Sequence, residues 1–232
     1  MPRITSIGQC ALCGETFSKR AISRHLITCQ AAHSPKRGKL RKTFRLIVEG
    51  RGLPEYWLHL EMPADATLRT LDGFLRDIWL ECCGHLSAFT IEHARYELDT
   101  GGIDGMWTDI FGRGEPPKSM NVRLDAVLRP DLKFDHEYDF GTTTALALKV
   151  VSETMRPFES KAVRLLARNL PPPILCAKCS QPATQVCVEC MYTEAGWLCE
   201  AHAEKHKHQD MFLPVVNSPR VGMCGYTGVP YV

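Results

Sequence analysis

A chain of 232 residues holds one moderate core with small appendages, and 44% hydrophobic and 23% charged residues match a globular composition, which excludes wholesale disorder. Its 28 basic and 26 acidic side chains leave a formal net charge of +2, too little to dictate a nucleic-acid or membrane partner. No run approaches the roughly 18 apolar residues of a membrane-spanning helix, and the expectation is a soluble, cytoplasmic protein without membrane attachment. In that compartment thiols stay reduced, so the eleven cysteines, many in Cys-x-x-Cys pairs, point to metal rather than to disulfides.

In chain order, the first cluster is Cys10-x2-Cys13, eleven residues, then His25-x3-Cys29. It stands where a signal peptide would carry its apolar stretch. A tight knuckle points two thiolates at one ion, and helix positions i and i+4 share a face, so His25 and Cys29 complete a tetrahedron. Phe17 and Ile22 lie between the ligand pairs as a miniature core. About thirty residues cannot fold on apolar burial alone, whereas structural zinc contributes about 10 to 16 kcal/mol of apparent binding free energy. The pattern resembles a C2H2-type zinc finger in a C2HC variant, spanning residues 1–32.

The implied helix exposes Lys19, Arg20 and Arg24, and a basic linker over 33–43 adds Lys36, Arg37, Lys39, Arg41 and Lys42. Together they offer positive charge to a phosphate backbone, although such a run is also an ordinary solvated face.

From residue 44 to 170 the pattern is that of an α+β domain. Phe44–Glu49 is rich in β-formers, and Tyr56, Leu58, Leu60 and Met62 alternate with Trp57, His59 and Glu61, with Gly50, Gly52 and Pro54 between them, which predicts a hairpin. Thr67 caps a helix whose apolar stripe is Leu68, Leu71, Leu75, Ile78, Trp79 and Cys82, so Cys82 is expected as a packed thiol. A strand follows near Phe89 and Ile91, and residues 99–119, rich in Gly, Asp and Pro, read as an exposed insertion. Phe134, His136, Tyr138 and Phe140 alternate with charged residues, after which Gly141 turns the chain into Leu146, Leu148 and Val150. The stretch 158–170 fits strand or helix. Hairpin, helix and further strands suggest a β-grasp-like layer.

Tyr56-x-Leu58-x-Leu60, Ala66-Thr67-Leu68, Trp79, His85-Leu86-x-x-Phe89-x-Ile91 and above all Tyr138-Asp139-Phe140-Gly141 resemble the Ri-plasmid open-reading-frame-three-like domain family over about residues 44–155. The resemblance implies an α+β domain of bacterial and mobile-element proteins and transfers no activity. Many members continue Asp-Gly-x-Trp after the turn, where this chain has Thr142–Ala145. No nucleophile elbow, phosphate-binding loop or dinucleotide fingerprint occurs, so no enzyme and no small-molecule substrate are expected. His85, His136, Glu137 and Asp139 form the one candidate acid/base set, but strand alternation puts His136 on the face opposite Glu137 and Asp139.

Pro171, Pro172 and Pro173 open the last unit, 171–232, which contains Cys176-x2-Cys179, Cys187-x2-Cys190, Cys199-x2-His202 and His206-x-His208. Four successive ligand pairs resemble a cross-brace of the B-box, treble-clef or RING-like kind. That resemblance implies one zinc on Cys176, Cys179, Cys199 and His202, and a second on Cys187, Cys190, His206 and His208. Cys224 remains an alternative to either of the last two histidines, or a small buried hydrophobe.

The expectation is thus an α+β protein: a β-grasp-like central domain between two small zinc-stabilised modules, carrying about three Zn2+. Closed ligand sets and the cross-brace resemblance favour a non-catalytic adaptor for a protein partner. The alternative is a nucleic-acid-binding protein that uses the N-terminal finger and basic linker.

Overall fold

The computed structural model describes residues 6–33, 38–98, 116–158, 163–193 and 195–228. They form a mixed α/β structure, mostly strands with few helices. Strands β1 (Ile7–Cys10) and β2 (Thr16–Ser18) lead into helix α1 (Lys19–Ala32). Strands β3 (Lys39–Gly50) and β4 (Leu53–Pro63) make the hairpin expected from the alternation, turning through Gly52 at φ +76°. Helix α2 (Leu68–Leu75) runs into a π-helical turn, Arg76–Leu80. Strands β5 (Ser87–Ile91), β6 (Ala94–Glu97), β7 (Lys118–Ser119), β8 (Lys133–Tyr138), β9 (Thr144–Phe158) and β10 (Arg164–Asn169) follow. Of the ambiguous stretch 158–170, Arg164–Asn169 is strand and 159–162 lie outside the described residues, as does the insertion read over 99–119 up to position 115.

The large sheet has the order β2-β1-β10-β4-β3-β9-β8-β5-β6-β7, antiparallel at every pairing except β6 with β7. On one face Phe44, Leu46, Val48, Tyr56, Leu58, Leu60 and Met62 pack with Leu146, Leu148 and Val150 against Leu68, Leu71 and Leu75 of α2. Burying each such side chain contributes about 1.5 to 3 kcal/mol. Thr67 caps α2 as its sequence position suggests, accepting from the Thr70 amide at 3.2 Å. A buried hydrogen bond of 2.7 Å between His136 Nε2 and Asp72 Oδ1 ties β8 to α2.

The alternating residues of β4 are buried on its second face as well, because the N-terminal Cys/His unit covers them. Trp57 packs with Cys10, Ile22, Leu26, Cys29, Leu166 and Ala167, and its indole N–H donates to Ser6 Oγ at 2.7 Å. The approach is so close at Gly8 that a Cβ there would overlap the Trp57 ring and the Arg168 carbonyl. Pairing of β1 with β10 then makes this unit the edge of the large sheet. The basic linker expected over 33–43 becomes strand from Lys39 onward, since residues 39–43 pair with Thr154–Phe158 of β9.

The C-terminal unit contributes a second sheet, ordered β12-β11-β13, from β11 (Gln185–Cys187), β12 (Trp197–Leu198) and β13 (Phe212–Pro214), with a short helix α3 (Glu200–Ala203). Val186 and Val221 enter the main core, and Met191, Trp197, Leu213, Val215 and Val216 pack on it, so the unit is seated on the central domain. No helix among the described residues is long and apolar enough to cross a membrane.

Candidate metal centres

Three groups of four ligand residues expected from spacing come together in space, with donor atoms within 4.8 Å of one another in each. The N-terminal set is Cys10, Cys13, His25 and Cys29. Hairpin β1–β2 supplies the knuckle: Gly14, at φ +78°, lets its amide donate to the Cys10 carbonyl at 2.9 Å, folding Cys13 back toward Cys10. Helix α1, capped by Ser18 on the Ala21 amide at 3.3 Å, presents His25 and Cys29 on one face. Cys10 Sγ lies 3.8 Å from Cys29 Sγ, and Cys13 Sγ 3.3 Å from His25 Nε2. Phe17 stacks on the His25 ring at 4.0 Å between centroids and fixes its plane, while Ile22 belongs to the core shared with Trp57.

In the C-terminal unit the alternate pairs of the cross-brace assemble. His202 Nδ1 lies 3.5 Å from Cys176 Sγ, 3.6 Å from Cys179 Sγ and 3.2 Å from Cys199 Sγ, and Cys179 and Cys199 are 3.8 Å apart. In the second set His208 Nδ1 lies 3.6 Å from Cys187 Sγ and 3.4 Å from Cys190 Sγ, while His206 Nε2 is 3.6 Å from Cys190 Sγ. The tight His-x-His spacing works because the two rings, at an interplanar angle of 82°, offer different nitrogens to the same point.

These separations can be checked against the ion itself. Zinc–sulfur bonds near 2.3 Å and zinc–nitrogen bonds near 2.0 to 2.1 Å put tetrahedral ligands about 3.8 Å apart for two sulfurs and about 3.5 Å apart for sulfur and nitrogen. The donor sets fit. Their protonation points the same way. Burial first, and then the neighbouring Cys10 and Cys13 sulfurs, push the Cys29 thiol up to about 12, so the three sulfurs ionise together only with a compensating positive charge, which a divalent cation would supply. At Cys176 burial opposes ionisation, yet backbone N–H groups, those of Cys199, Lys178 and Cys179, outweigh it and bring the thiol down to about 6. The Lys178 amide donates to this sulfur at 3.4 Å, a contact that favours the thiolate a metal takes.

Three of the described residues in the candidate basic set face carboxylates. Lys19 pairs with Glu49 at 2.9 Å and also donates to the Pro54 carbonyl, Arg41 faces Asp65 at 3.6 Å, and Lys42 pairs with Glu153 at 3.0 Å. Arg20, Arg24 and Lys39 are exposed, and Lys36 and Arg37 lie outside the described residues. Of the acid/base set, His85 and Asp139 meet at 3.5 Å, whereas His136 faces the core beside Asp72 and Glu137 pairs with Arg95 at 3.3 Å. Strand β8 ends before Phe140, because Asp139 turns the chain at φ 64° and accepts from the Gly141 and Thr142 amides.

Cys82 packs against the main core as a partly buried thiol, as expected, although the helical run ends at Leu80 in a π-turn closed by the Glu81 amide on the Arg76 carbonyl at 2.9 Å. One expectation about cysteine is corrected. Cys224 joins neither histidine of the cross-brace and is exposed rather than a buried hydrophobe. Instead Cys82, Cys83, His85 and Cys224 form a fourth group. Only Cys-Cys-x-His was visible locally, and its fourth member is far away in the chain.

No protein-family model matches the chain, and no curated protein matches it. Solved structures that resemble it include the crystal structure of a protein of unknown function from Methanosarcina mazei Go1, at 15% identity and a TM-score of 0.45, covering 56% of this chain and 70% of that one.

Proposed function

We propose that the protein is a zinc-organised, non-catalytic interaction protein whose C-terminal cross-brace recognises a protein partner. The observation that carries this reading is the closure of the donor sets: Cys10, Cys13, His25 and Cys29, and likewise each cross-brace set, supply four side chains to one point. Four protein ligands leave a tetrahedral ion no position for water or substrate, whereas catalytic zinc keeps one open. Thiolate-rich donors suit zinc over harder cations such as magnesium or calcium. In this reading the central domain, which resembles the Ri-plasmid family, is a β-grasp-like scaffold of a cytoplasmic protein, and no small-molecule substrate is involved. A protein partner is favoured over nucleic acid because Lys19, Arg41 and Lys42 each face a carboxylate, which spends their charge locally.

The test uses the zinc-loaded, full-length chain. Protein partners captured from nuclease-treated cell extract are expected to be lost on Cys187→Ser/Cys190→Ser, and fluorescence anisotropy with DNA or RNA is expected to show no steeply salt-dependent binding. Salt-sensitive binding that flattens when Lys36, Arg37, Lys39, Arg41 and Lys42 are replaced would transfer the function to phosphate-backbone recognition.

A further inference from the structure

We propose that Cys82, Cys83, His85 and Cys224 form a fourth zinc site, which fastens the C-terminal segment to the central domain. The site draws on two distant parts of the chain: the loop after the π-turn supplies the first three donors, and the segment after the cross-brace supplies the last. Cys83 Sγ lies 3.6 Å from Cys82 Sγ and 3.9 Å from Cys224 Sγ. His85 Nε2 lies 2.9 Å from Cys83 Sγ and 3.2 Å from Cys224 Sγ. These are close to the separations in the three sets recognised from spacing, where two sulfurs stand 3.8 Å apart and sulfur and nitrogen 3.2 to 3.6 Å. Three thiols and an imidazole converging within 4.8 Å of one another make a four-donor set of the kind tetrahedral zinc takes.

The surroundings are built to hold those donors. The Tyr138 hydroxyl accepts from the Cys82 and His85 amides at 3.4 and 3.3 Å and donates to Glu81 Oε1 at 3.0 Å, which in turn accepts from the Gly84 amide at 2.6 Å. The loop from 81 to 85 is thereby wrapped around one phenol. Arg220 donates to Cys82 Sγ at 3.4 Å, the kind of contact that stabilises a bound thiolate. Asp139 lies 3.5 Å from His85 Nε2, yet its carboxylate already accepts from Arg220, Thr142 and the Gly141 amide, which leaves that nitrogen available to an ion. Cys224 sits at φ 46° with Gly222 at φ 81° and Gly225 at φ 69° beside it. A left-handed non-glycine residue is costly and persists where its surroundings require it; here that conformation delivers the sulfur to the cluster.

This site goes beyond the three-zinc reading and is separable from it. Full-length protein is loaded with cadmium-113 and its cadmium NMR spectrum is recorded. Four resonances are expected, three from sites with three sulfurs and one nitrogen and one from the site with two of each. Cys224→Ser and Cys83→Ser are each expected to remove one three-sulfur resonance and one bound ion, and to speed hydrogen exchange of the amides over 215–228 while leaving α1 protected. Cys10→Ser, Cys179→Ser and Cys190→Ser each assign one of the other three signals, so failure of one of those sites is distinguishable from failure of this one. A wild-type spectrum without a resonance beyond those assigned to the three other sets, a full ion count in Cys224→Ser, or unchanged exchange over 215–228 in both variants overturns the proposal.

Discussion

The Arg220 guanidinium donates to Asp139 Oδ2 at 2.7 Å, and both side chains are buried, so the segment that leaves the cross-brace is anchored in the turn after β8. Arg220 also donates to the Thr142 carbonyl and to Thr144 Oγ1, and lies 4.8 Å over the Tyr138 ring. Burial works against the Asp139 carboxylate, but Thr142, Arg220 and the Gly141 amide outweigh it and hold the group well below the usual carboxylate range. Breaking one side of a buried pair leaves an uncompensated charge, a loss of about 3 to 5 kcal/mol. Arg220→Met is therefore expected to lower unfolding stability by about that amount in urea titrations. Pairing it with Asp139→Asn is expected to cost less than the sum of the single changes, which a double-mutant cycle reads directly.

Because Trp57 is buried beneath α1 and shares a core with Cys10 and Cys29, loss of a metal held by Cys10, Cys13, His25 and Cys29 is expected to open the second face of β4. Cys29→Ser, or chelator, should red-shift tryptophan fluorescence and abolish hydrogen-exchange protection in α1 while β3 and β9, paired along their length, stay protected. Retention of α1 protection in metal-free protein would show that apolar contacts alone hold the unit.

His59 lies on that same covered face, 3.5 Å from Ser23 Oγ through its Nε2. Burial first, and then the Arg45 and Lys19 charges, lower its imidazole to about 3. An unfolded histidine titrates near 6.5, so the unfolded chain takes up a proton that the folded chain refuses. The stabilisation is complete above about pH 6.5 and is lost progressively as pH falls toward 3, roughly 2 kcal/mol by about pH 5. His59→Gln is expected to shrink the loss of stability between about pH 7 and 5 by that amount, measured as unfolding midpoints; an unchanged pH slope would refute it.

What the chain declares by itself is local. Cys10-x2-Cys13 with His25-x3-Cys29, and the four pairs from Cys176 to His208, were legible because a metal knuckle needs only a few residues and a fixed spacing. The β3–β4 hairpin, the Thr67 cap and the alternation of β8 were legible because strand and helix periods are written at short range. Three things were decided only by the tertiary structure. The second face of β4 is covered because β1 pairs with β10 and carries α1 over Trp57, and nothing within β4 specifies that partner. A π-turn ends the helical run at Leu80 and puts Cys82 in the loop beyond it, an ending that a 3.6-residue period does not anticipate. His85 and Cys224 stand 139 residues apart in sequence and 3.2 Å apart in space, and only the return of the C-terminal segment, anchored by Arg220 on Asp139, closes that distance.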